Sequence, residues 1–338
     1  MNSNINQEEI TEKVLNILRE RGKKTLELTK KAVLEEKFES KDLQEALKYF
    51  MNEHWYDFSR PAFFSLCCES VGCKTDITRP FAISISILSG ALALHDDIID
   101  QSKIKNSKPT VLKKFGKNIS LLIGDVLMVK GFSLLFKAFE KGVSAKQISI
   151  INEIIKKTLL ELGDVEALQF QFEGRIDITP EDYLQLVRKK AADVDGYARI
   201  SGMVGGGSED EVEALGEFGR ILGMLSILRN DMIDMFDWKK TTQRIKREHL
   251  PLTILYALHK PQTQSIMRAL MKKTITKKNA EKLLMIVDKA GGFIQMEECM
   301  NKLAEEAYSK LEKINYNKEI FFLLIKSLLV PEWRNYLS

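Results

Sequence analysis

The sequence predicts an all-α protein, on three observations. Apolar residues recur at helical spacing through most of the 338 residues, helix-start signals are abundant, and strand signals are scarce. Ser144 with Gln147 and Ser208 with Glu211 read as capping boxes, and Thr179-Pro180-Glu181-Asp182 is a further helix start. No repeat or low-complexity linker divides the chain, so residues 1–338 read as a single all-helical domain.

In chain order, Glu8 to Phe38 mixes apolar positions at helical spacing with Lys and Glu, giving one or two amphipathic helices. Ser40 caps a helix through about Met51. Pro61 suits the first turn of the next helix, and Pro80 opens a long one that ends at Asp100. Gln101–Pro109 is a polar loop, and Ile119–Phe139 reads helical again. Gly205-Gly206-Gly207 lies between two helices and reads as a turn, because no strand precedes it to build a phosphate cradle. Trp238–His249 is polar and basic, either a lid or an exposed loop, and helical patterns resume from Leu250 to Leu329.

Composition excludes several classes. Hydrophobic content of 44% and charged content of 29% are those of a globular chain, and a net charge of +4 implies no nucleic-acid partner. Phe81–Leu94 is the longest apolar run, too short to span a bilayer, so no transmembrane segment is expected. Cys67, Cys68, Cys73 and Cys299 lack zinc-ligand spacing; with a polar N-terminus, they suggest reduced thiols in a cytoplasmic protein.

Two short stretches carry the chemistry. Leu92–Asp100 ends an apolar helix in Asp96, Asp97 and Asp100, three acids on one turn that repel one another unless a cation neutralises them. Leu228–Asp237 repeats the oxygen spacing with Asn230, Asp231 and Asp234. One such cluster alone reads equally well as a solvated helix end. Two, facing each other across a cavity, could hold Mg²⁺, which takes a few carboxylates together with substrate phosphates.

The pair resembles the two aspartate-rich motifs of the trans-prenyl diphosphate synthases, the polyprenyl synthetase family, over roughly residues 50–255. That resemblance implies a helical bundle around a deep central cavity and a homodimer packed through helices. It implies about two or three Mg²⁺ ions held by Asp96, Asp97, Asp100, Asp231 and Asp234 with the substrate diphosphate. In the family, the ions draw diphosphate from an allylic prenyl diphosphate and the allylic cation is attacked by isopentenyl diphosphate, which the resemblance implies here too.

Other motifs match in part. The family's Gly-Gly-Lys-Arg-x-Arg-Pro corresponds to Trp55–Pro61, keeping Arg60 and Pro61 while Asp57 and Phe58 replace the basic pair that helps hold isopentenyl diphosphate. Arg-Arg-Gly-x-Pro-Thr corresponds to Lys105–Thr110, with Lys105 and Lys108 as the cations that remain. Gly124-Asp125 and Gly163-Asp164 stand for the family's Gly-Asp and Gly-Gln pairs. Lys190 fits a catalytic and substrate-binding lysine, and Arg247 a substrate-binding lysine. In the family, bulk at the fifth and fourth positions before the first acidic motif limits chain growth; here these are Ala91 and Leu92. At about 5.4 Å per helical turn, roughly one isoprene unit, a product of about fifteen to twenty carbons is expected. Two alternatives stay open: a terpene synthase-like lyase that needs no isopentenyl diphosphate, motivated by Asp57 and Phe58, and a non-catalytic partner subunit.

Overall fold

The computed structural model describes residues 7–139, 143–247, 249–271 and 276–329, without the side chains of residues 7, 75, 77 and 247. The first helix, α1 (Gln7–Leu34), is unbroken. Ser40 caps α2 (Lys41–Tyr49), its Oγ accepting the Leu43 N–H at 3.4 Å. This helix stops short of Met51, because Phe50–His54 forms a single π-helical turn that ends at Trp55. Pro61 lies in the first turn of α3 (Ser59–Ser70), as its spacing predicts.

The long helix α4 (Thr75–Ile99) starts earlier than Pro80 implies. Residues 75–79 add a turn closed by the Arg79–Asp76 ion pair. Pro80 then sits inside the helix at the cost of one backbone hydrogen bond. Within the expected loop lies a hairpin of β1 (Ile104–Lys105) and β2 (Lys108–Pro109), turning at Asn106 and Ser107. Both turn residues have positive φ, 50° and 61°, as a tight two-residue hairpin requires.

Next come α5 (Val111–Phe115), α6 (Lys117–Phe139), α7 (Ala145–Phe172), α8 (Pro180–Lys190), α9 (Ala192–Val204) and α10 (Glu209–Asp234). The capping boxes at Ser144, Thr179 and Ser208 are all formed. The basic stretch after Asp237 is a helix, α11 (Trp238–Arg247). It is followed by α12 (Leu252–Leu258), α13 (Pro261–Met271), α14 (Lys277–Lys289), α15 (Gly292–Lys310) and α16 (Lys318–Leu328).

The central helix α4 packs along α6, and α9 packs along α10. Close approach depends on glycine: a Cβ at Gly124 of α6 would come 2.4 Å from His95 Nε2 on α4. Phe50, Ile87, Ala91, Leu94, Ile123 and Leu127 form one core cluster between α2, α4 and α6. A larger cluster, including Tyr183, Phe218, Leu228 and Phe293, gathers around α10. By length and composition, α4 and α6 could each cross a membrane. The apolar window of α4 is 61% buried inside the bundle, that of α6 only 33%. The exposed face of α6 carries Leu121, Leu122, Val129 and Phe136.

Candidate active site

The C-terminal end of α4 presents the first acidic turn, with the Asp100 N–H bonded to the Asp96 carbonyl at 2.8 Å. Asp96 is half-buried, Asp100 exposed, and Asp97 only 2% exposed. The hairpin turns Lys105 back so that its Nζ lies 2.7 Å from Asp97 Oδ1; His54 Nε2 lies 3.9 Å from Oδ2. Burial raises the Asp97 carboxyl pKa despite the opposing pull of Lys105. Burial also acts against the Lys105 charge but is outweighed by Asp97, Asp96 and Asp100, so the lysine pKa rises. Lys108, expected beside it, instead donates to the Glu53 carbonyl at 2.7 Å and lies over the Tyr56 ring.

The second acidic turn ends α10 and has different company. Asp231 is 2% exposed and receives the Tyr183 hydroxyl on one oxygen and Arg244, at 2.8 Å, on the other. Arg244 also holds Asp234 Oδ2 at 2.7 Å, while Lys240 takes Asp234 Oδ1 at 2.7 Å. Lys240 and Arg244 are one turn apart on α11, so the basic helix lies across the acidic turn. Burial raises the Asp231 pKa against the pull of Arg244, Tyr183 and Lys190. Asn230 is exposed.

Lys190 stands between the two turns. Its Nζ is 3.8 Å from Glu166 Oε1 on α7, and its charge acts on Asp231 and His249. Burial raises the Glu166 pKa, Lys190 opposes this, and Asp96 adds to it. Glu166 is therefore the acid that faces the site from α7. Asp164, at the position matched to the family's Gly-Gln, pairs with Lys189 at the surface instead. His249 packs edge-on against Tyr183, with ring centroids 4.9 Å apart. Burial, then Lys190 and Arg244, lower its pKa to about 3, so the ring is neutral at pH 7. The Arg247 side chain and Glu248 lie outside the described residues.

Leu88 and Leu92 line an apolar crevice between α4, α7 and α9, with Ile155, Leu159, Leu162 and Tyr197 opposite. Its free volume is about 30 Å³, room for a water. Ala91 does not line this crevice: with Ile87, one turn away, it faces α2 and α6 and is fully buried in the neighbouring cluster. A rotation of about 100° per residue separates the two faces.

Arg60 is paired with two acids. Its Nε and Nη2 donate to Asp193 Oδ2 at 3.2 and 3.0 Å, and its Nη1 to Asp57 Oδ2 at 2.8 Å. The side chain is 45% exposed, so desolvation weighs only partly against the charge, and Asp193 and then Asp57 hold the guanidinium pKa well above its ordinary value.

As donors, Asp96 and Asp100 are hard oxygens on one face, the chemistry that suits Mg²⁺. At the second turn, both Asp234 oxygens and one Asp231 oxygen already face cations, so an ion there must displace α11 side chains. Among the described residues, no three His, Cys, Asp or Glu side chains converge as a ready-made metal site.

Structural neighbours share this architecture. A geranylgeranyl pyrophosphate synthetase from Pyrococcus horikoshii superposes with TM-score 0.82 at 22% identity, covering 94% of this chain and 98% of that one. A decaprenyl diphosphate synthase from Rhodobacter capsulatus gives 0.79 at 19%, with coverage of 94% and 98%. Among curated proteins, a geranylgeranyl diphosphate synthase of Methanosarcina mazei is 32% identical over 177 residues, 52% of this chain and 54% of that protein. An octaprenyl diphosphate synthase of Escherichia coli is 26% identical over 204 residues, 60% and 61% of the two chains. The chain thus spans between half and two thirds of the curated relatives it matches. The family model for polyprenyl synthetase matches residues 40–287, well over half the sequence and both acidic turns. This chain belongs to the polyprenyl synthetase family.

Proposed function

We propose that the chain is a Mg²⁺-dependent prenyltransferase that ionises an allylic prenyl diphosphate and passes the prenyl group to an acceptor. The observation that carries this is Lys190 of α8, 3.8 Å from Glu166 of α7, with its charge acting on Asp231 of α10 while that of Asp96 on α4 acts on Glu166. Asp96 and Asp100 would hold Mg²⁺, which would supply Lewis acidity toward the leaving diphosphate. Lys105 stays beside the first turn through its pair with buried Asp97. Lys190 offers a cation between the turns, and the apolar crevice keeps water from the prenyl cation. With isopentenyl diphosphate as acceptor, Leu88 and Leu92 favour an all-trans product of about fifteen to twenty carbons, at roughly one isoprene unit per helical turn. The intact acids argue against a purely non-catalytic subunit. The exposed α6 face, with Leu121, Leu122, Val129 and Phe136, supports a homodimer, in the cytoplasm where its four cysteines stay reduced.

A second reading, ionisation without isopentenyl diphosphate, is favoured by the two carboxylates that neutralise Arg60. One assay separates them. Geranyl, farnesyl and geranylgeranyl diphosphates are each incubated with Mg²⁺, with and without labelled isopentenyl diphosphate. Mg²⁺-dependent diphosphate release is expected. Label in a longer prenyl diphosphate identifies the synthase, release without label the second reading, and no release with any substrate overturns the proposal.

A further inference from the structure

The helices that carry Lys190 and Glu166 are held together by a buried guanidinium that belongs to neither. Arg220 is 7% exposed and lies on α10, about three helical turns before Asp231. Its Nη2 and Nε both reach Asp195 Oδ2 of α9, at 2.6 and 2.9 Å. Its Nη1 donates to Glu161 Oε2 of α7 at 2.7 Å and to the backbone carbonyl of Arg188 in α8 at 3.0 Å. One side chain therefore ties α7, α8 and α9 to α10.

The Arg188 carbonyl is among the last four of α8, which lack donors within their own helix. The guanidinium thus caps the helix end. Lys190, two positions on, is the final residue of that helix. In α7, Glu161 stands about one and a half turns before Glu166. The Lys190–Glu166 contact and the Arg220 bridge from Arg188 to Glu161 consequently cross the same gap between α8 and α7. Arg220 itself lines a different space, a surface groove of about 990 Å³ between α7, α8, α9 and α10. None of Asp96, Glu166, Lys190 and Asp231 lines that groove.

We propose that Arg220 is a positioning residue for ionisation of the prenyl diphosphate: without touching substrate, it fixes where the Lys190 ammonium stands relative to Glu166. The proposal rests on the role given to Lys190 above. Acceptors on three helices are met by a planar fork whose N–H directions are fixed, which a lysine ammonium on its flexible stem does not reproduce. Asp195, only 5% exposed, anchors the fork with two charge-assisted hydrogen bonds. Slack of about 1 Å at the end of α8 would carry the Lys190 charge away from the leaving diphosphate, and misplacement of that size costs up to about 100-fold in rate.

Arg220→Lys keeps a charge beside Asp195 but cannot also hold Glu161 and the Arg188 carbonyl. In Mg²⁺-dependent diphosphate release from geranylgeranyl diphosphate, kcat is expected to fall about 30-fold, with KM changed by less than about 3-fold. The decisive measurement is a double-mutant cycle with Lys190→Gln. Because Arg220 acts through Lys190, Arg220→Lys should cost no more than about 2-fold once Lys190 is gone. Losses that multiply across the two substitutions would make Arg220 a structural residue and overturn the proposal.

A second readout needs no turnover: acetylation of each lysine by acetic anhydride, located by tandem mass spectrometry. A Lys190 amine released from Glu166 is more exposed and less strongly protonated, so Arg220→Lys should raise its labelling about threefold relative to exposed Lys41. Glu161→Gln removes only the α7 end of the bridge; it should raise Lys190 labelling to a smaller extent, and it serves as the test if Arg220→Lys folds poorly. Glu213→Gln, at an exposed side chain that pairs with Arg199 and not with Arg220, should leave Lys190 labelling as in the native chain. Unchanged Lys190 labelling in both Arg220→Lys and Glu161→Gln overturns the proposal. If Lys190→Gln alone leaves diphosphate release intact, the role given to Lys190 fails instead, and the labelling still decides whether Arg220 sets its place.

Discussion

Asp96 and Asp234 belong to turns of the same oxygen spacing, but the protein surrounds them differently. At the first turn one cation, Lys105, neutralises the buried Asp97, leaving the half-buried Asp96 without an ion pair among the described residues. At the second, Arg244 and Lys240 take both oxygens of Asp234, and Arg244 with Tyr183 completes Asp231. Asp96 is therefore open to a cation from solution, while the second turn brings its own in the form of α11. The same sequence pattern can mark a binding surface or a clamp, and what lies opposite decides which it is.

The largest expected effect is at the open turn. Asp96→Asn should lower Mg²⁺-dependent diphosphate release about 10³-fold, roughly 4 kcal/mol of transition-state stabilisation, with little change in unfolding midpoint. A large drop in the midpoint would show that Asp96 is structural and erase the contrast.

The next tests the clamp. Arg244→Gln strands the buried Asp231 carboxylate and should destabilise the fold by about 3 kcal/mol in urea unfolding. Lys240→Gln, at a side chain 56% exposed, should cost no more than about 0.5 kcal/mol. Equal costs would mean that α11 does not grip the turn through Arg244.

The last is a pH dependence, read as a slope rather than as a single loss of stability. His249 has a pKa near 3 in the folded chain, well below its unfolded value, because burial and the neighbouring Lys190 and Arg244 oppose its charge. The unfolded chain therefore binds a proton that the folded chain refuses. The contribution to stability is complete above the unfolded pKa and declines as pH falls toward the folded one, at up to about 1.4 kcal/mol per pH unit. In His249→Asn, stability measured by urea unfolding from pH 6.5 to pH 4 should slope less steeply by that amount. An unchanged slope would place the proton uptake elsewhere.

Much of this was legible because it is local. The acidic turns, the capping boxes and the start of α8 depend on residues three or four apart, which a sequence displays directly. Ala91 and Leu92 show the limit: adjacent residues on one helix face different neighbours, and helix rotation is set by what packs against it. Asp57 could be seen as an acid in a basic motif, but Asp193, which completes the pair on Arg60, comes from 133 residues away. Glu166 was hidden two residues beyond the apparent motif match, and only its facing Lys190 reveals it. Lys240 and Arg244 carried a signal that was available, an i, i+4 basic pair after an acidic turn, but not the direction of α11.

The clamp also bears on how the protein can be handled. A chain whose acidic turns rely on bound ions for charge balance would loosen under a chelator. Here Lys105 and Arg244 neutralise the two buried carboxylates from within. Dialysis against EDTA should leave the helical circular dichroism and the unfolding midpoint intact, so a stripped preparation is a sound starting point for adding back one ion at a time.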